Sequence, residues 1–147
     1  MRKKDNRPYV EVETNIRIRF GEVDSMRIVW HGNYLKYFED AREILGEQLG
    51  LSYLEIYNQG YVTPIVKSGI EHKAPLAYGT NALIRIRLID DPAAKIIHHY
   101  TIIDQDKGVI AAEGETIQVF LDTNNDLQLV VPEFYQKWKA KQNWMTD

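Results

Sequence analysis

The chain has 147 residues, 44% hydrophobic and 27% charged, with a formal net charge of −3 and no cysteine. That length can bury a core unaided, and the acidic balance offers no basic footprint for nucleic acid. The missing cysteines exclude a disulfide framework, a thiolate metal site and a cysteine nucleophile.

The basic start MRKK is followed by no apolar stretch, so no secretory signal is read. No apolar run approaches the roughly 18 residues of a membrane span. The expectation is one domain over 1–147, soluble and cytoplasmic. In chain order, residues 9–20 alternate apolar and polar, most cleanly in Ile16-Arg17-Ile18-Arg19-Phe20, which predicts a half-buried strand. Residues 21–32 hold two glycines and no clean period, and are read as a loop. From Asn33 the period changes: Tyr34, Leu35, Tyr37, Phe38, Ala41, Ile44, Leu45 and Leu49 recur at three- and four-residue steps. This predicts a helix to Leu49, with Asn33 as N-cap and Gly50 as the left-handed stop. A short helical piece over 52–58 follows.

After Gly60 the chain reads as strands: 61–73, with Pro64 marking an edge or bulge, then 80–89, 95–104 and 109–121. Asp90-Asp91-Pro92, 104–108 and 122–126 supply the turns. Residues 127–131 are expected to finish the last strand, and 132–141 to form a helix opened by Pro132. Five antiparallel strands and one helix with a wide apolar stripe predict an α+β domain with the helix lying across one face of the sheet.

Several constellations have bland readings. The arginines of the two Ile-Arg-Ile-Arg runs are expected to be a solvated face, with a weaker possibility that Arg85, Arg87 or Lys95 meets substrate phosphates. His98 and His99, adjacent in a strand, point to opposite faces and cannot share an ion; they are read as structural or surface residues. His72 has no same-face ligand and is assigned no metal. Asp122 to Glu133 has calcium-loop spacing, but Leu127 stands where that loop needs glycine. No metal is expected.

That leaves Asp24 and His31. Asp24 follows the first strand, and His31-Gly32 immediately precede the long helix. Backbone N–H groups at a helix start lack intrahelical partners and sit at the positive end of the dipole, so they can hold an oxyanion. Gly32 presents no side chain there. A nearby carboxylate could activate water or attack a carbonyl itself. No Gly-x-Ser-x-Gly motif competes with this arrangement.

The run FGEVDSMRIVWHGNYLKYFEDAR, residues 20–42, resembles the opening of the 4-hydroxybenzoyl-CoA thioesterase-like branch of the hotdog-fold superfamily. Asp24, His31, Asn33, Tyr34, Phe38, Glu39 and Arg42 fall on that branch's positions. A second block, GIEHKAPLAYGT at 69–80, resembles the branch's strand and turn before its third strand. The order strand, helix, four strands is similar to a hotdog, a five-stranded antiparallel sheet wrapped around one long helix.

The resemblance implies hydrolysis of acyl-CoA thioesters, with Asp24 as general base or nucleophile. It implies the backbone N–H at His31 or Gly32 as the carbonyl-oxygen donor, with the His31 ring helping to position water or substrate. Gly32, Asn33 and Tyr34 would form the substrate-binding stretch. It also implies a homodimer or homotetramer with sites at the subunit boundary. No cofactor is implied, since coenzyme A arrives with the substrate. The alternative is an acyl-CoA or acyl-carrier binding protein of the same fold without turnover. A hotdog dehydratase is disfavoured, because the helix carries no histidine after His31.

Two positions depart from the branch. Arg27 stands where it commonly has glycine, and Trp30 where it has His or Tyr. If Arg27 paired with Asp24, the carboxylate's pKa would fall and the base would weaken. A glycine position also often uses a positive φ.

Overall fold

The computed structural model describes residues 5–147, so the basic run 1–4 lies outside the described residues. The alternation in the sequence becomes strands β1 (Tyr9–Ile16), β2 (Ile65–His72), β3 (Ala82–Ile89), β4 (Lys95–Asp104) and β5 (Val109–Val119). The helical runs become α1 (Tyr34–Leu49), α2 (Tyr53–Asn58) and α3 (Glu133–Ala140). The strands form one antiparallel sheet in the order β1-β3-β4-β5-β2. This is the α+β architecture expected, with the long helix buried against the sheet.

Period two decides the faces. In β3, Ile84, Ile86 and Leu88 are buried toward α1, while Arg85 and Arg87 stand on the opposite face. The two arginines are spent within the sheet: Arg85 Nε donates to Glu13 at 2.8 Å and Arg87 Nε to Glu11 at 2.7 Å, both across the β1–β3 ladder. Cross-strand partners already compensate their charge on the solvated face the sequence predicts.

Helix α1 buries Tyr34, Tyr37, Phe38, Ala41 and Leu45. Its central contact is the Phe38 ring, stacked on Tyr100 of β4 with centroids 4.0 Å apart and planes 7° from parallel. Tyr100 pairs with Gly114 of β5, and the Phe38 ring lies over the space a Cβ on Gly114 would fill. The absent side chain is what lets the helix sit this close to the sheet. At the far end Gly50 stops α1 with φ 75°, and the Trp138 indole of α3 donates to the Leu49 carbonyl at 2.6 Å.

The structure corrects several boundaries. β1 ends at Ile16, and the chain then leaves the ladder so that Phe20 is exposed. The bulge expected near Pro64 falls between Ile65 and Lys67, and β2 is an edge strand. Residues 127–131 add no strand; Leu127 makes one bridge to Leu121, and Leu129 and Val130 are exposed. Both neighbouring histidines are buried: His98 faces α1, and His99 on the other face meets Glu115 at 2.8 Å. The Asp122 carboxylate accepts the N–H groups of Asn124 and Asp126, which closes this turn on its own backbone.

Gly114→Ala should lower stability by about 1–3 kcal/mol, the usual range for overpacking a full core. Its methyl would meet the Phe38 ring and, at 2.9 Å, the Gly69 carbonyl oxygen. Urea unfolding of the variant against the wild type measures this.

Candidate active site

The segment between β1 and α1 is a small hairpin with a sharp tip. Val23 bridges Val29, the Asp24 N–H donates to the Ile28 carbonyl at 2.9 Å, and the Arg27 N–H donates to the Asp24 carbonyl at 2.9 Å. Arg27 adopts φ 65°, so the position where glycine is common in the resembling branch does use the left-handed region. An L-residue there costs roughly 1–2 kcal/mol, which the surrounding bonds offset. Arg27 forms no ion pair with Asp24 among the described residues.

Asp24 is half-buried. Its Oδ1 accepts the Met26 N–H at 2.8 Å, an Asx-type turn, and Oδ2 has no intramolecular partner among the described residues. One oxygen thus fixes the carboxylate while the other stays free. Beyond the second arm of the hairpin, residues His31–Asn33 form a 3₁₀ turn that runs directly into α1.

Asn33 is therefore not the side-chain cap the sequence predicts. Its backbone is already helical, and its Nδ2 donates instead to the Glu22 carbonyl at 2.9 Å. Extending the helix by this turn moves the unpartnered N–H groups upstream. The Asn33 and Tyr34 amides are taken by the Trp30 and His31 carbonyls, whereas the His31 and Gly32 amides have no acceptor among the described residues.

The absence of a side chain at Gly32 does not leave its Cα face open. The Trp30 indole occupies the space a Cβ would take, and its ring lies 5.0 Å from that of His31. Tyr34 is core: its ring packs between Tyr37 and His72, and burial pushes its phenol pKa up. Asp24, His31 and Gly32 present available groups; Asn33 and Tyr34 are committed to the scaffold.

Two residues missed by sequence reasoning complete the arrangement. His72 of β2 lies with its ring 4.7 Å from Tyr34 and 6.4 Å from His31. Nothing local in the sequence could place it there, because the contact depends on how α1 crosses β2. The second is Glu22, whose buried carboxylate accepts the Arg19 N–H at 2.8 Å, the Tyr37 hydroxyl at 3.0 Å and the Lys36 ammonium at 3.2 Å. Its carbonyl accepts both Asn33 Nδ2 and the Trp30 N–H. Burial alone would raise the Glu22 pKa, but the Arg19 amide, Tyr37 and Lys36 outweigh it and hold the carboxyl below its ordinary value.

The two blocks that carry the family resemblance meet in space. The Val29 N–H donates to the Leu76 carbonyl at 2.8 Å and the Tyr78 N–H to the Arg27 carbonyl at 3.2 Å, with Ile28 bridged to Ala77. Among the described residues, no group of three or more His, Cys, Asp or Glu is placed to hold a metal ion.

A five-stranded antiparallel sheet packed around one long helix is the hotdog fold. Residues 18–139 match the thioesterase-like superfamily, and the chain belongs to that family. It is similar to YneP of Bacillus subtilis strain 168, a provisionally named acyl-CoA thioesterase, at 28% identity over 84% of this chain and 88% of that protein. A DHNA-CoA thioesterase from Staphylococcus aureus superposes with a TM-score of 0.78 at 24% identity, over 89% of each chain. A 4-hydroxybenzoyl-CoA thioesterase, solved as an aspartate-to-asparagine mutant with 4-hydroxybenzoyl-CoA, gives 0.74 at 20% identity, over 87% of this chain and 97% of that one.

Glu22 makes the loop's stability pH-dependent. Its pKa is lower folded than unfolded, so its contribution is present above the unfolded value of about 4.3 and is lost as pH falls through the folded value. Glu22→Gln should be clearly less stable than the wild type at pH 7, and the gap should shrink steadily toward pH 3. Urea midpoints of both proteins at pH 7, 5 and 3 measure it.

Proposed function

We propose that the chain hydrolyses acyl-CoA thioesters, with Asp24 as general base or nucleophile and the His31 and Gly32 amides as donors to the thioester oxygen. The observation that carries this is the pairing of a half-buried carboxylate with one free oxygen and two unpartnered N–H groups across one hairpin. As a base, Asp24 takes a proton from water while the water oxygen bonds to the thioester carbon. The carbonyl oxygen becomes an oxyanion held by the amides; the C–S bond then breaks and the thiolate takes up a proton. As a nucleophile, the same carboxylate bonds to the carbon, coenzyme A leaves, and water splits the resulting anhydride. Family membership and the relatives' names support the substrate class.

A second copy of the chain is part of this reading. β2 is the outermost strand and is exposed along nearly its whole length, with apolar Ile65 and Val66 at its start. The opposite edge is partly closed, because Tyr9 of β1 exchanges backbone hydrogen bonds with Met145. An open edge of this kind favours a strand partner. We expect a homodimer joined along β2, with His72 and the Asp24 loop near the boundary, and tetramers as pairs of such dimers.

Asp24→Asn keeps the side chain's size but removes the base. It should lower kcat by about 10²–10⁴-fold with little change in KM, measured as thiol release from a panel of acyl-CoAs. His31→Ala should cost less, since alanine keeps the backbone N–H. Wild-type turnover by Asp24→Asn would show that the loop is scaffold, and no turnover on any thioester by the wild type would favour the binding-protein alternative. Light scattering at micromolar concentration should return at least twice the chain mass of 17.1 kDa; a monomer would remove the shared edge.

A further inference from the structure

A cavity of about 620 Å³ lies between α1, α2 and the adjoining ends of β4 and β5, and neither Asp24, His31 nor Gly32 lines it. Its floor is apolar, formed by Leu45, Leu51 and Ile96, and its polar wall is Arg42, His98 and Gln118. The volume falls within the range of sites for small molecules, and a few convergent polar groups over an apolar floor is their usual composition.

Two polar groups in that wall are under-used. Arg42 is half-buried on α1; Nη1 donates to the Tyr100 hydroxyl at 3.0 Å, and Tyr100 in turn meets Thr116 at 2.6 Å. No carboxylate among the described residues pairs with the guanidinium. Glu39 stands three positions earlier on the same helix, a spacing that permits a pair, yet none forms. The remaining guanidinium donors have no acceptor among the described residues. His98 is buried, and its Nδ1 has no hydrogen-bond partner among the described residues. Burial, with Arg42 and His99 nearby, pushes its pKa down to about 3, so the ring is neutral near pH 7.

We propose that this cavity is a second ligand site, which takes a small apolar monocarboxylate with its carboxylate on Arg42 and its hydrocarbon on Leu45, Leu51 and Ile96. The planar guanidinium fork matches the two oxygens of a carboxylate, and a half-buried guanidinium with no direct ion pair among the described residues gains from a ligand that supplies one. Glu39, Glu43 and Glu47 at the rim are solvent-exposed. They weigh more against a phosphate dianion than against a single negative charge. The site does not depend on Asp24 hydrolysing a thioester, although the acid such a reaction releases belongs to the same chemical class.

Amide NMR titration of the full chain with hexanoate and with hexan-1-ol tests the proposal. Hexanoate should produce saturable shifts around Arg42, Ile96 and His98, and hexan-1-ol should bind at least about tenfold more weakly, the loss of one charge-assisted contact. Arg42→Gln should weaken hexanoate by a similar factor, and Arg42→Lys should recover part of it. Should Arg42→Gln fail to fold, Gln118→Glu leaves the Arg42–Tyr100 bond intact, sets a carboxylate in the same wall, and should also weaken hexanoate at least about tenfold. Equal affinity for the alcohol, unchanged hexanoate affinity in a folded Arg42→Gln or Gln118→Glu variant, shifts confined to residues 24–33, or no saturable binding would each overturn the site.

Discussion

The closeness of α1 to the sheet depends on one contact, the Phe38 ring lying flat on Tyr100 above Gly114. Stacked rings gain dispersion over their whole faces, and a glycine in the facing strand lets that contact form without a Cβ between helix and backbone. Tyr100 extends the contact with its hydroxyl, which accepts from Arg42 and meets Thr116. Apolar stacking and a buried hydrogen-bond chain therefore fix the same helix at the same height. Everything at the N-terminal end of α1, including the His31–Asn33 turn, inherits its position from this anchor.

The loop that carries Asp24 is held by different physics. Val29 anchors it in the core and Val23 packs alongside, while the rest of its shape rests on saturated polar groups. The Glu22 carboxylate and carbonyl together receive five donors, from Arg19, Tyr37, Lys36, Asn33 and Trp30. A buried carboxylate with this many donors is far more favourable than one left unpaired. The result ties both ends of the hairpin to the first turns of α1. Arg27 can then be held at a positive φ, because its N–H donates to the Asp24 carbonyl and its own carbonyl accepts from the Tyr78 N–H, which over-determines its backbone.

Charge is distributed with the same economy. The arginines of β3 look available in the sequence but are paired with glutamates of β1, while Arg42 of α1 has the Tyr100 hydroxyl as its one side-chain hydrogen-bond partner among the described residues. Edges are treated unequally as well: Met145 pairs with the start of β1, and β2 has no strand on its outer side among the described residues. Both asymmetries set the sides of the molecule on which unsatisfied groups remain.

The sequence by itself determined the elements and their faces, because period-two and period-3.6 patterns are local consequences of where side chains point. The helix over 34–49, its stop at Gly50 and the alternation of Ile84 to Leu88 were all legible for that reason. Asp24, His31 and Gly32 could be singled out from their place before a helix, and Arg27, through the resemblance, as standing where a glycine often uses a positive φ. Only the tertiary structure decided the rest. Asn33 lost its expected capping role because the His31–Asn33 turn already holds its backbone helical, while its Nδ2 donates to the carbonyl of Glu22, eleven residues back. Trp30 turned out to cover Gly32, and His72 came to lie beside Tyr34, through packing that no short window contains. Whether an arginine is paired or free is likewise a property of what the fold brings across from another strand, which is why Arg85 and Arg42, alike as letters, differ as charges.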